Sequence, residues 1–475
     1  MRLDDLLAAV AGRPGLEHLV LNGGTGGDLS GAADVAAVTH DSRAVAPGAL
    51  FCCVRGAHAD GHDHAPAAAA AGAVALLCER PLGLDLPELR VPSVRAAMGP
   101  VAAAFHGEPS ARLAVVGITG TNGKTTTAHL LAAILDAAGR PCGVIGTLTG
   151  ARTTPEAPEL QAQLAAFLAE GRQAVSMEVS SHALDQHRVD GTAFALAVFT
   201  NLSQDHLDHH GTMEAYFQAK ARLFDAGLSA RAVVNLDDPH GRLLRDAAQI
   251  PTTGFSLADA TAVEAGPRGS RFRWRGTELR TTLAGRFNLA NVLAAVTAAA
   301  ELGVGTDAIA QGLAEAAPVP GRFELVDAGQ PFAVVVDYAH TADGLAALLA
   351  SARELTGPGG RVLVVFGCGG DRDRAKRPAM GAAAAEGADV VVVTSDNPRS
   401  EDPHAIIASV LSGIPEDVQP VIEPDRRAAI TAAVSRASAG DVVVIAGKGH
   451  ETTQIAGATC TPFDDRVVAR EVLVG

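Results

Sequence analysis

The feature that most constrains this chain is a glycine-rich turn at residues 117–127, which reads GITGTNGKTTT. The apolar run at 113–116 predicts a buried strand before the turn, and residues 127–138 predict a helix after it. A turn between a strand and a helix directs backbone N–H groups and a helix N-terminus at one point, which suits phosphate. Lys124 is placed to reach terminal phosphates, and the Thr125 hydroxyl is placed to bind magnesium. The pattern therefore predicts a phosphate-binding loop.

The spacing of this loop narrows the class of protein. Five residues separate Gly117 from Gly123, whereas the common phosphate-loop motif has four residues between its glycines. The longer spacing points away from most motor, GTPase and kinase loops. The predicted nucleotide contacts are Gly120, Thr121, Asn122, Gly123, Lys124, Thr125 and Thr126.

Length and charge exclude several classes of protein. The chain has 475 residues, too many for one hydrophobic core, and this length predicts about three domains. Its net charge of −15 argues against binding to nucleic acid or to an anionic membrane surface. The sequence does not open on a basic and apolar leader, and no run approaches the ~20 apolar residues of a membrane-spanning helix. We therefore expect a cytoplasmic protein with no nucleic-acid partner and no membrane insertion, and we take a monomer as the default oligomeric state.

Lysine and cysteine are both informative. Four of the 38 Lys and Arg residues are lysines, at positions 124, 220, 376 and 448. At each of them we therefore ask whether the site needs an amine rather than a guanidinium. The six cysteines are scattered without a C-x-x-C pair, and this pattern predicts small buried hydrophobic residues in a reducing compartment.

Apolar runs that alternate with helical stretches predict an α/β protein of three domains. The predicted domains are a small N-terminal α/β domain at 1–109, a central phosphate-loop domain with a parallel sheet at 110–318, and a C-terminal Rossmann-like domain at 319–475. Residues 255–283 predict a small antiparallel patch, and residues 318–321 predict a hinge. The other predicted strands are 50–54, 74–77, 142–145, 174–177, 196–199, 232–234, 332–336, 362–366, 390–393 and 442–445, and the other predicted helices are 64–71, 342–354 and 426–437.

Polar residues follow six of the predicted strands. In open α/β sheets, ligands bind beyond the carboxyl ends of the strands. Six polar strand ends in register therefore predict one binding site. These segments are 178–182, 200–210, 337–340, 367–372, 395–399 and 447–451.

Two of these polar residues are candidate magnesium ligands. Glu178 offers a carboxylate at a strand end of the phosphate-loop domain. His206 is a second candidate, although imidazole is an unusual ligand for magnesium and an ordinary loop role stays open. A zinc site at His206, His209 and His210 is disfavoured, because the cluster lacks its own Cys or carboxylate set at zinc spacing.

Together these residues resemble the Mur ligase family of ATP-dependent, amide-forming enzymes, over nearly the whole chain. The phosphate loop TGTNGKTTT resembles that of the family, and Asn288 and Asn291 in GRFNLANVLAA resemble its adenine-side motif. Arg322 in GRFE, with Asp337 and His340 in DYAH, resemble carboxy-terminal residues that reach the nucleotide. The resemblance implies ATP and Mg²⁺ as cofactors.

Within the family, the chain resembles members that add the third residue of the peptidoglycan stem peptide. The motifs that carry this likeness are HDSR at 40–43, TTPE at 153–156, EVSSH at 178–182 and QHR at 186–188. The segment before TTPE, residues 146–153, is shorter than is usual in such members. The implied first substrate is UDP-N-acetylmuramoyl-L-alanyl-D-glutamate, with its uridine in the first domain. The implied contacts are His40, Ser42, Ala57, His58, Ala59, Thr153, Thr154, Ser180, Gln186 and Arg188.

The resemblance also gives Lys220, in the segment YFQAK, a specific role. A lysine ammonium repels magnesium, whereas a lysine carbamate is an anionic oxygen ligand that only an amine can form. The implied magnesium ligands are Thr125, Glu178, His206 and carbamylated Lys220, and the implied catalytic residues are Lys124, Glu178, His206 and Lys220. Lys448 is expected to support its own loop, and Lys376 is expected to be a solvated helix residue.

The last domain is expected to select the third residue. The DNPR motif, formed by Asp396, Asn397, Pro398 and Arg399, resembles the version associated with meso-diaminopimelate. Arg372 and Arg399 would hold the distal carboxylate of that substrate. Glu451 and the Gly447 carbonyl would accept from its distal ammonium. The alternative substrate L-lysine lacks the distal carboxylate and is disfavoured for that reason.

The implied reaction is the activation of the D-glutamate carboxylate as an acyl phosphate, followed by amide formation after closure about residues 318–321. One alternative is another Mur-type ligase, such as a folylpolyglutamate synthetase, and the HDSR and DNPR motifs argue against it. A regulatory or motor ATPase would need a strand ending in Asp or Asp-Glu and an arginine finger. The second set of polar strand ends disfavours a nucleotide-binding module without enzymatic activity.

Overall fold

The computed structural model describes residues 1–13, 15–16, 19–22, 33–56, 59–266 and 269–475. Over these ranges the strands form three larger sheets, here called the first, central and last sheets, and two small antiparallel ones. Helices cover the larger sheets, and the predicted α/β fold class is confirmed. No helix in the described ranges is both long and apolar enough to cross a membrane.

The first sheet has the strand order β1-β5-β4-β3-β2 in the part of the chain described, and β1 alone runs antiparallel to its neighbour. The strands predicted at 50–54 and 74–77 are confirmed as β3 and β4, and the helix predicted at 64–71 is confirmed as α2. The elements are α1 (Leu3–Val10), β1 (Val20–Asn22), β2 (Ala37–Thr39), β3 (Ala49–Cys52), α2 (Ala65–Ala70), β4 (Ala73–Cys78), β5 (Glu88–Arg90) and α3 (Val94–Phe105).

The central sheet is parallel throughout, with the order β11-β10-β9-β6-β8-β7. Its inner strands β6, β8, β9 and β10 are buried almost throughout, as expected of a parallel sheet with both faces covered, whereas the edge strand β11 is only partly buried. Its elements are β6 (Ala114–Thr119), α4 (Lys124–Ala137), β7 (Cys142–Ile145), α5 (Ala157–Ala169), β8 (Ala174–Glu178), α6 (Ser181–Asp185), β9 (Leu196–Phe199), α7 (Leu207–His210), α8 (Met213–Ala221), β10 (Ala232–Asn235), α9 (Pro239–Ala247) and β11 (Thr252–Phe255).

An antiparallel sheet and two helices complete the central part. Strands β12 (Ala260–Gly266), β13 (Gly269–Trp274) and β14 (Thr277–Thr281) confirm the predicted antiparallel patch. Trp274, buried, joins the apolar core that α4 shares with α10 (Arg286–Glu301) and α11 (Thr306–Glu315).

The last sheet has the order β15-β16-β20-β17-β18-β19 among the described residues, and β15 alone is antiparallel. All four strands predicted here are confirmed, within one residue at either end. The elements are β15 (Glu324–Leu325), β16 (Ala333–Asp337), α12 (Ala342–Leu355), β17 (Val362–Phe366), α13 (Lys376–Gly387), β18 (Val390–Val393), α14 (Pro403–Leu411), β19 (Val421–Ile422), α15 (Arg426–Val434), β20 (Val442–Ala446), β21 (Thr453–Ala456), β22 (Thr459–Pro462) and α16 (Asp465–Val474).

The segment predicted as a hinge lies against a loop of the last sheet. Gly321 has φ +64°, and a Cβ atom there would lie 2.1 Å from the backbone nitrogen of His450. Only glycine allows this close approach. Movement about residues 318–321 stays a prediction.

The cysteines differ from expectation at one position. Five of them are buried, as predicted, and Cys460 on the edge hairpin β21–β22 is exposed. The apolar-residue interpretation is therefore wrong for Cys460.

Candidate active site

A cavity of about 840 Å³ lies where the carboxyl ends of the central and last sheets face each other. All six polar strand ends that the sequence singles out contribute to its wall. The phosphate loop lines one side, and Arg399 of the DNPR motif lines the other. Lys124 and Arg399 therefore share one cavity.

The phosphate loop is held in shape by its glycines and lysine. Helix α4 begins at Lys124, three residues earlier than predicted, because Gly123 caps it with φ +87°. A Cβ atom on Gly123 would lie 2.1 Å from the Asn291 Oδ1 atom. Lys124 Nζ donates to the carbonyl oxygens of Gly120, at 2.9 Å, and Thr121, at 2.8 Å. The loop thus carries its cation at the N-terminus of a 14-residue helix.

The two predicted asparagines have different positions. Asn291 lines the cavity, and its Nδ2 atom lies 3.2 Å from Asn288 Oδ1. Asn288 lies behind it, buried, and donates to the Ala284 carbonyl at 2.9 Å. Asn288 therefore positions Asn291, and we do not find it in the wall of this cavity.

Thr125 and Glu178 form a buried oxygen pair at the base of the loop. The Thr125 hydroxyl donates to Glu178 Oε2 at 2.9 Å, and the backbone N–H of Thr147 donates to Oε1 at 2.8 Å. Thr147 was not predicted from the sequence. It lies just beyond the carboxyl end of β7, next to the carboxyl end of β8, where Glu178 is the last residue. Arg322 donates to the Thr125 hydroxyl at 3.0 Å, so a residue beside the last sheet reaches this pair.

These oxygen atoms suit magnesium as ligands, because magnesium prefers carboxylate and hydroxyl oxygens beside nucleotide phosphates. Thr125 and Glu178 adjoin each other at the phosphate loop, as that coordination requires. Within the described ranges, no group of three or more His, Cys, Asp or Glu side chains is arranged to hold a metal ion. The predicted set differs from such a group because it includes a threonine hydroxyl and a modified lysine.

His206 lies in a cluster of aromatic side chains beside the cavity. Its ring centroid lies 4.7 Å from that of His182 and 6.1 Å from that of Tyr216. Burial lowers the pKa of His206 to about 3, so the ring is neutral at physiological pH. A neutral imidazole keeps the lone pair that a metal ligand needs.

Lys220 is buried behind the phosphate loop. Its Nζ atom donates to the Gly120 carbonyl at 2.8 Å and lies 4.5 Å from the centroid of the Tyr216 ring. Burial, with a contribution from the nearby Lys124 charge, lowers the pKa of Lys220 well below its ordinary value. The neutral amine is the nucleophile in carbamate formation, so this environment suits the predicted modification.

Asp205 is a buried carboxylate that the predicted site lacks. Its Oδ2 atom lies 3.4 Å from His206 Nε2 and 3.6 Å from His340 Nε2. Burial opposes its ionisation, but the contact with His340 outweighs burial and holds the pKa of Asp205 below its usual range. Since His340 follows β16 and Asp205 follows β9, the carboxylate joins the last sheet to the central one.

The remaining nucleotide-side residues come from the beginning of the last sheet. The Arg322 guanidinium lies 4.3 Å from the centroid of the Tyr338 ring. The Asp337 carboxylate accepts from the backbone N–H groups of Phe323 and Ala339, each at 2.7 Å. Burial raises the pKa of Asp337. Asp337, which lines the cavity, therefore fixes the backbone conformation next to Arg322.

The opposite end of the cavity is built from the DNPR and GKGHE segments. Arg399 Nη1 donates to the Gly370 carbonyl at 2.7 Å, which directs the guanidinium along the cavity wall. Asn397 Nδ2 donates to Glu451 Oε2 at 2.7 Å. Lys448, fully buried, donates to the Thr453 carbonyl at 2.6 Å and pairs with Glu451 at 3.2 Å. Lys448 supports its own loop, as expected.

A buried ion pair, also missed from the sequence, fixes both of these segments. Arg426 donates to Asp465 through Nε at 2.8 Å and through Nη2 at 2.7 Å, and neither side chain is exposed. The same guanidinium donates to the carbonyl oxygens of Ser395, at 3.2 Å, and Ala446, at 2.9 Å. These carbonyls precede the DNPR and GKGHE segments, so Arg426 sets the spacing between the two.

Several predicted substrate residues lie in a separate group, not in the wall of this cavity. Arg188 donates to Gln186 Oε1 at 2.8 Å and to the Thr154 carbonyl at 3.2 Å. The His40 Nδ1 atom lies 3.3 Å from Glu159 Oε1. Of the predicted set, Thr153, Ser180, Arg372, Asp396, Asn397, Arg399, Gly447 and Glu451 line the cavity, whereas His40, Ser42, Ala59, Thr154, Gln186, Arg188 and Pro398 do not. Ala57 and His58 fall outside the described residues.

Lys376 lies on a helix, as expected, and is the first residue of α13. Its side chain is only partly exposed and lines the cavity, which the sequence does not predict. Helical periodicity misses this position because the first turn of α13 begins at the cavity.

Comparison with known proteins defines the class of this protein. Family models match three consecutive parts of the chain: "Mur ligase family, catalytic domain" matches residues 34–106, "Mur ligase middle domain" matches 118–299, and "Mur ligase, glutamate ligase domain" matches 321–449. The chain belongs to the Mur ligase family, which confirms the resemblance seen in its motifs.

Particular relatives share one name. The chain is 47% identical to the UDP-N-acetylmuramoyl-L-alanyl-D-glutamate--2,6-diaminopimelate ligase of Geobacillus thermodenitrificans, over 92% of this chain and 94% of that protein. It is also 47% identical to the ligase of that name from Streptomyces coelicolor, over 93% of each chain. A solved structure of a ligase with this name is 36% identical, with a TM-score of 0.65, and the match covers 92% of this chain and 94% of that one. A MurF ligase from Thermotoga maritima in complex with ADP has a TM-score of 0.64 over 93% of this chain and 96% of its own; at 20% identity it shares the fold alone.

Proposed function

We propose that this protein joins 2,6-diaminopimelate, in its meso form, to UDP-N-acetylmuramoyl-L-alanyl-D-glutamate in the synthesis of peptidoglycan precursors, converting ATP to ADP and phosphate. The observation that carries the proposal is the shared cavity, in which the phosphate loop around Lys124 faces the DNPR motif around Arg399. The names of the relatives that span over nine-tenths of the chain support it.

We assign one task to each of three domains. Residues 1–109 would bind the UDP moiety, residues 110–318 would bind ATP, and residues 319–475 would bind the incoming amino acid. The three sheets support this division, since each is formed from strands within one of these ranges. ATP as a substrate fits a cytoplasmic location, and we propose a monomer because both ends of the cavity come from one chain.

The first chemical step is phosphoryl transfer. A carboxylate oxygen of the D-glutamate residue bonds to the γ-phosphorus of ATP, and the bond from that phosphorus to the bridging oxygen breaks, with its electron pair leaving on ADP. Lys124 and the N–H groups of the loop offset the negative charge that gathers there. Thr125, Glu178, His206 and carbamylated Lys220 would hold magnesium, which supplies further charge neutralisation.

The second step forms the amide. The amine of diaminopimelate attacks the acyl carbon, the amine loses a proton, and phosphate leaves. Arg372 and Arg399 hold the distal carboxylate, while Glu451 accepts from the distal ammonium. Because Asn397 and Lys448 already bind Glu451, its carboxylate is fixed before the amino acid arrives. Such positioning lowers the activation barrier of amide formation, because the entropy of orienting the reacting groups is lost before the chemical step.

The charge at the far end of the cavity favours diaminopimelate over L-lysine. L-Lysine brings a distal ammonium without a carboxylate, so it would leave Arg399 unpaired and place like charges together.

The test is ATP-dependent phosphate release with UDP-N-acetylmuramoyl-L-alanyl-D-glutamate and, separately, meso-diaminopimelate, L-lysine or L-ornithine. We expect release with diaminopimelate alone. An Arg399→Met variant should raise the KM for diaminopimelate by about 10²-fold and leave the KM for ATP unchanged. Activity with L-lysine alone would overturn the choice of amino acid, and no release with any of the three would overturn the ligase assignment.

A further inference from the structure

Thr147 lines the cavity, and neither the sequence motifs nor the proposed mechanism gives it a role. It lies just beyond β7, in the segment that joins this strand to the TTPE motif at 153–156. Its side chain contacts two residues that the proposed reaction does use, Glu178 and Thr153. Thr147 therefore connects a proposed magnesium ligand to a proposed substrate contact.

The turn that carries Thr147 is shaped to approach Glu178. A Cβ atom on Gly146 would lie 2.3 Å from Glu178 Oε1, so a larger residue there would displace the carboxylate. The turn is closed by Thr149, whose hydroxyl accepts from the Gly146 N–H at 2.9 Å and whose own N–H donates to the Gly146 carbonyl at 3.1 Å. The Thr147 hydroxyl is therefore not needed to close the turn.

The Thr147 hydroxyl has two partners, and its single proton decides the direction of both hydrogen bonds. The hydroxyl oxygen lies 3.2 Å from Glu178 Oε2 and 3.1 Å from Thr153 Oγ1. A carboxylate anion only accepts hydrogen bonds, so Thr147 donates to Glu178 and must accept from Thr153. The same carboxylate accepts from the Thr147 N–H and the Thr125 hydroxyl, so three donors hold it in place.

This proton count fixes how Thr153 meets a substrate. Thr153 donates its only hydroxyl proton to Thr147, so toward the cavity that it lines its oxygen can only accept. A group bound there must therefore donate a hydrogen bond. The carboxylates and phosphates of the substrate, as anions, carry no proton to donate and are excluded from this contact.

We propose that Thr147 is a positioning residue for the first substrate: it holds the Thr153 hydroxyl so that its oxygen accepts from the N–H of the D-glutamate residue. This assignment rests on the proposed ligase function. The D-glutamate N–H is the peptide donor nearest to the carboxylate that is activated, and Thr153 is linked to Glu178, beside the phosphate loop, through one side chain. The contact orients the D-glutamate residue by its amide and leaves its carboxylate to the phosphate end of the cavity.

The test measures binding and turnover separately. Binding of UDP-N-acetylmuramoyl-L-alanyl-D-glutamate is measured by isothermal titration calorimetry without ATP, magnesium or an amino acid, and kcat and KM are measured by phosphate release with meso-diaminopimelate present. The variants are Thr147→Val, which removes the hydroxyl at nearly unchanged volume, Thr147→Ser, which keeps a hydroxyl, and Thr153→Val. The matched control is Thr149→Val, which removes a hydroxyl that bonds to Gly146 in the same turn.

For Thr147→Val we expect the dissociation constant and the KM of this substrate to rise by about 5- to 10-fold, the effect of one hydrogen bond, with kcat within about threefold of wild type. The small change in kcat is expected because Thr125 and the Thr147 N–H, which valine keeps, still donate to Glu178. Thr147→Ser and Thr149→Val should bind the substrate as wild type does. Because Thr147 acts through Thr153, the double variant should bind no more weakly than Thr153→Val alone.

An ester analogue of the substrate tests the direction of the contact. In this analogue an oxygen atom replaces the D-glutamate N–H. The wild-type protein should bind the ester about 5- to 10-fold more weakly than the amide. Thr153→Val should bind the two equally, because it lacks the accepting oxygen.

Three results would overturn the assignment: an unchanged dissociation constant in Thr147→Val, additive losses in the double variant, or equal binding of ester and amide by the wild-type protein. Thermal unfolding checks the fold of each variant, and Thr147→Ala replaces the valine variant if the latter is unfolded. A wild-type protein that does not bind UDP-N-acetylmuramoyl-L-alanyl-D-glutamate would instead overturn the proposed function, before any variant is compared.

Discussion

Breaking the ion pair between Arg426 and Asp465 should destabilise the last sheet and weaken amino-acid binding together. Both side chains have zero exposure, and Asp465 accepts two of the four hydrogen bonds that Arg426 donates. In an Asp465→Asn variant the guanidinium stays buried with a neutral partner. Burial disfavours the charged form of Arg426, and in the native protein Asp465 more than offsets this and keeps the pKa of Arg426 raised.

The expected loss is about 3–5 kcal/mol, the range for removing one member of a buried pair. The lower end applies here, because the Ser395 and Ala446 carbonyls still accept from Arg426. The same carbonyls precede the DNPR and GKGHE segments. We therefore expect the KM for diaminopimelate to rise and the KM for ATP to stay unchanged.

The assay is urea denaturation followed by circular dichroism, with both KM values measured on the same preparation. The matched control is Glu471→Gln, which breaks the exposed Arg427–Glu471 pair between the same two helices, α15 and α16. An exposed pair contributes below about 1 kcal/mol. Equal losses in the two variants, or an unchanged KM for diaminopimelate in Asp465→Asn, would refute the reasoning.

Three further changes test the phosphate end of the cavity. Lys220→Ala should lower phosphate release by about 10²-fold or more, and added acetate should restore part of the activity. Lys220→Arg should stay inactive, because a guanidinium forms no carbamate. Full activity in the alanine variant would show that the modification is not needed. Glu178→Gln should raise the magnesium concentration for half-maximal activity by about 10-fold, and an unchanged magnesium titration would remove Glu178 from the ligand set. Gly123→Ala puts a Cβ atom 2.1 Å from Asn291 Oδ1 at φ +87°, so thermal unfolding should show a loss of about 1–3 kcal/mol. Gly139→Ala, at φ +70° with no atom within 4 Å, is the control that lacks the clash.

The strands that the sequence predicted best are those buried on both faces. The predicted bounds of β7, β9, β17 and β18 agree with the structure residue for residue, because a strand covered by helices on both sides is a continuous apolar run. Strands β1, β2 and β5 have three residues each and offer no such run. The start of α4 was predicted too late because its N-terminal cap is a left-handed glycine, which apolar periodicity does not reveal.

The site residues also fall into those that the sequence predicts and those that it does not. Glu178 and Asn397 could be predicted because Glu178 ends β8, Asn397 follows β18, and the strand ends of a parallel sheet meet at one edge. Arg426 could not, since its partner lies 39 positions away and both belong to helices that carry no motif. Lys376 offered a weak signal: it comes four positions after Arg372, the last residue of a polar strand end, and is close enough to share its cavity.

The two ends of the cavity are built differently, and this bears on how the reaction is controlled. At the phosphate end, Arg322 donates to Thr125 at 3.0 Å and His340 lies 3.6 Å from Asp205, so groups from both sheets meet there. At the amino-acid end, the Asn397–Glu451 bond belongs to the last sheet alone, and a displacement of that sheet would carry this end along unchanged. Such a displacement would instead separate Arg322 from Thr125, and thereby disturb the hydroxyl that Glu178 accepts from. A movement of the last sheet would therefore change the phosphate end of the cavity, where contacts join the two sheets, and leave the amino-acid end unchanged.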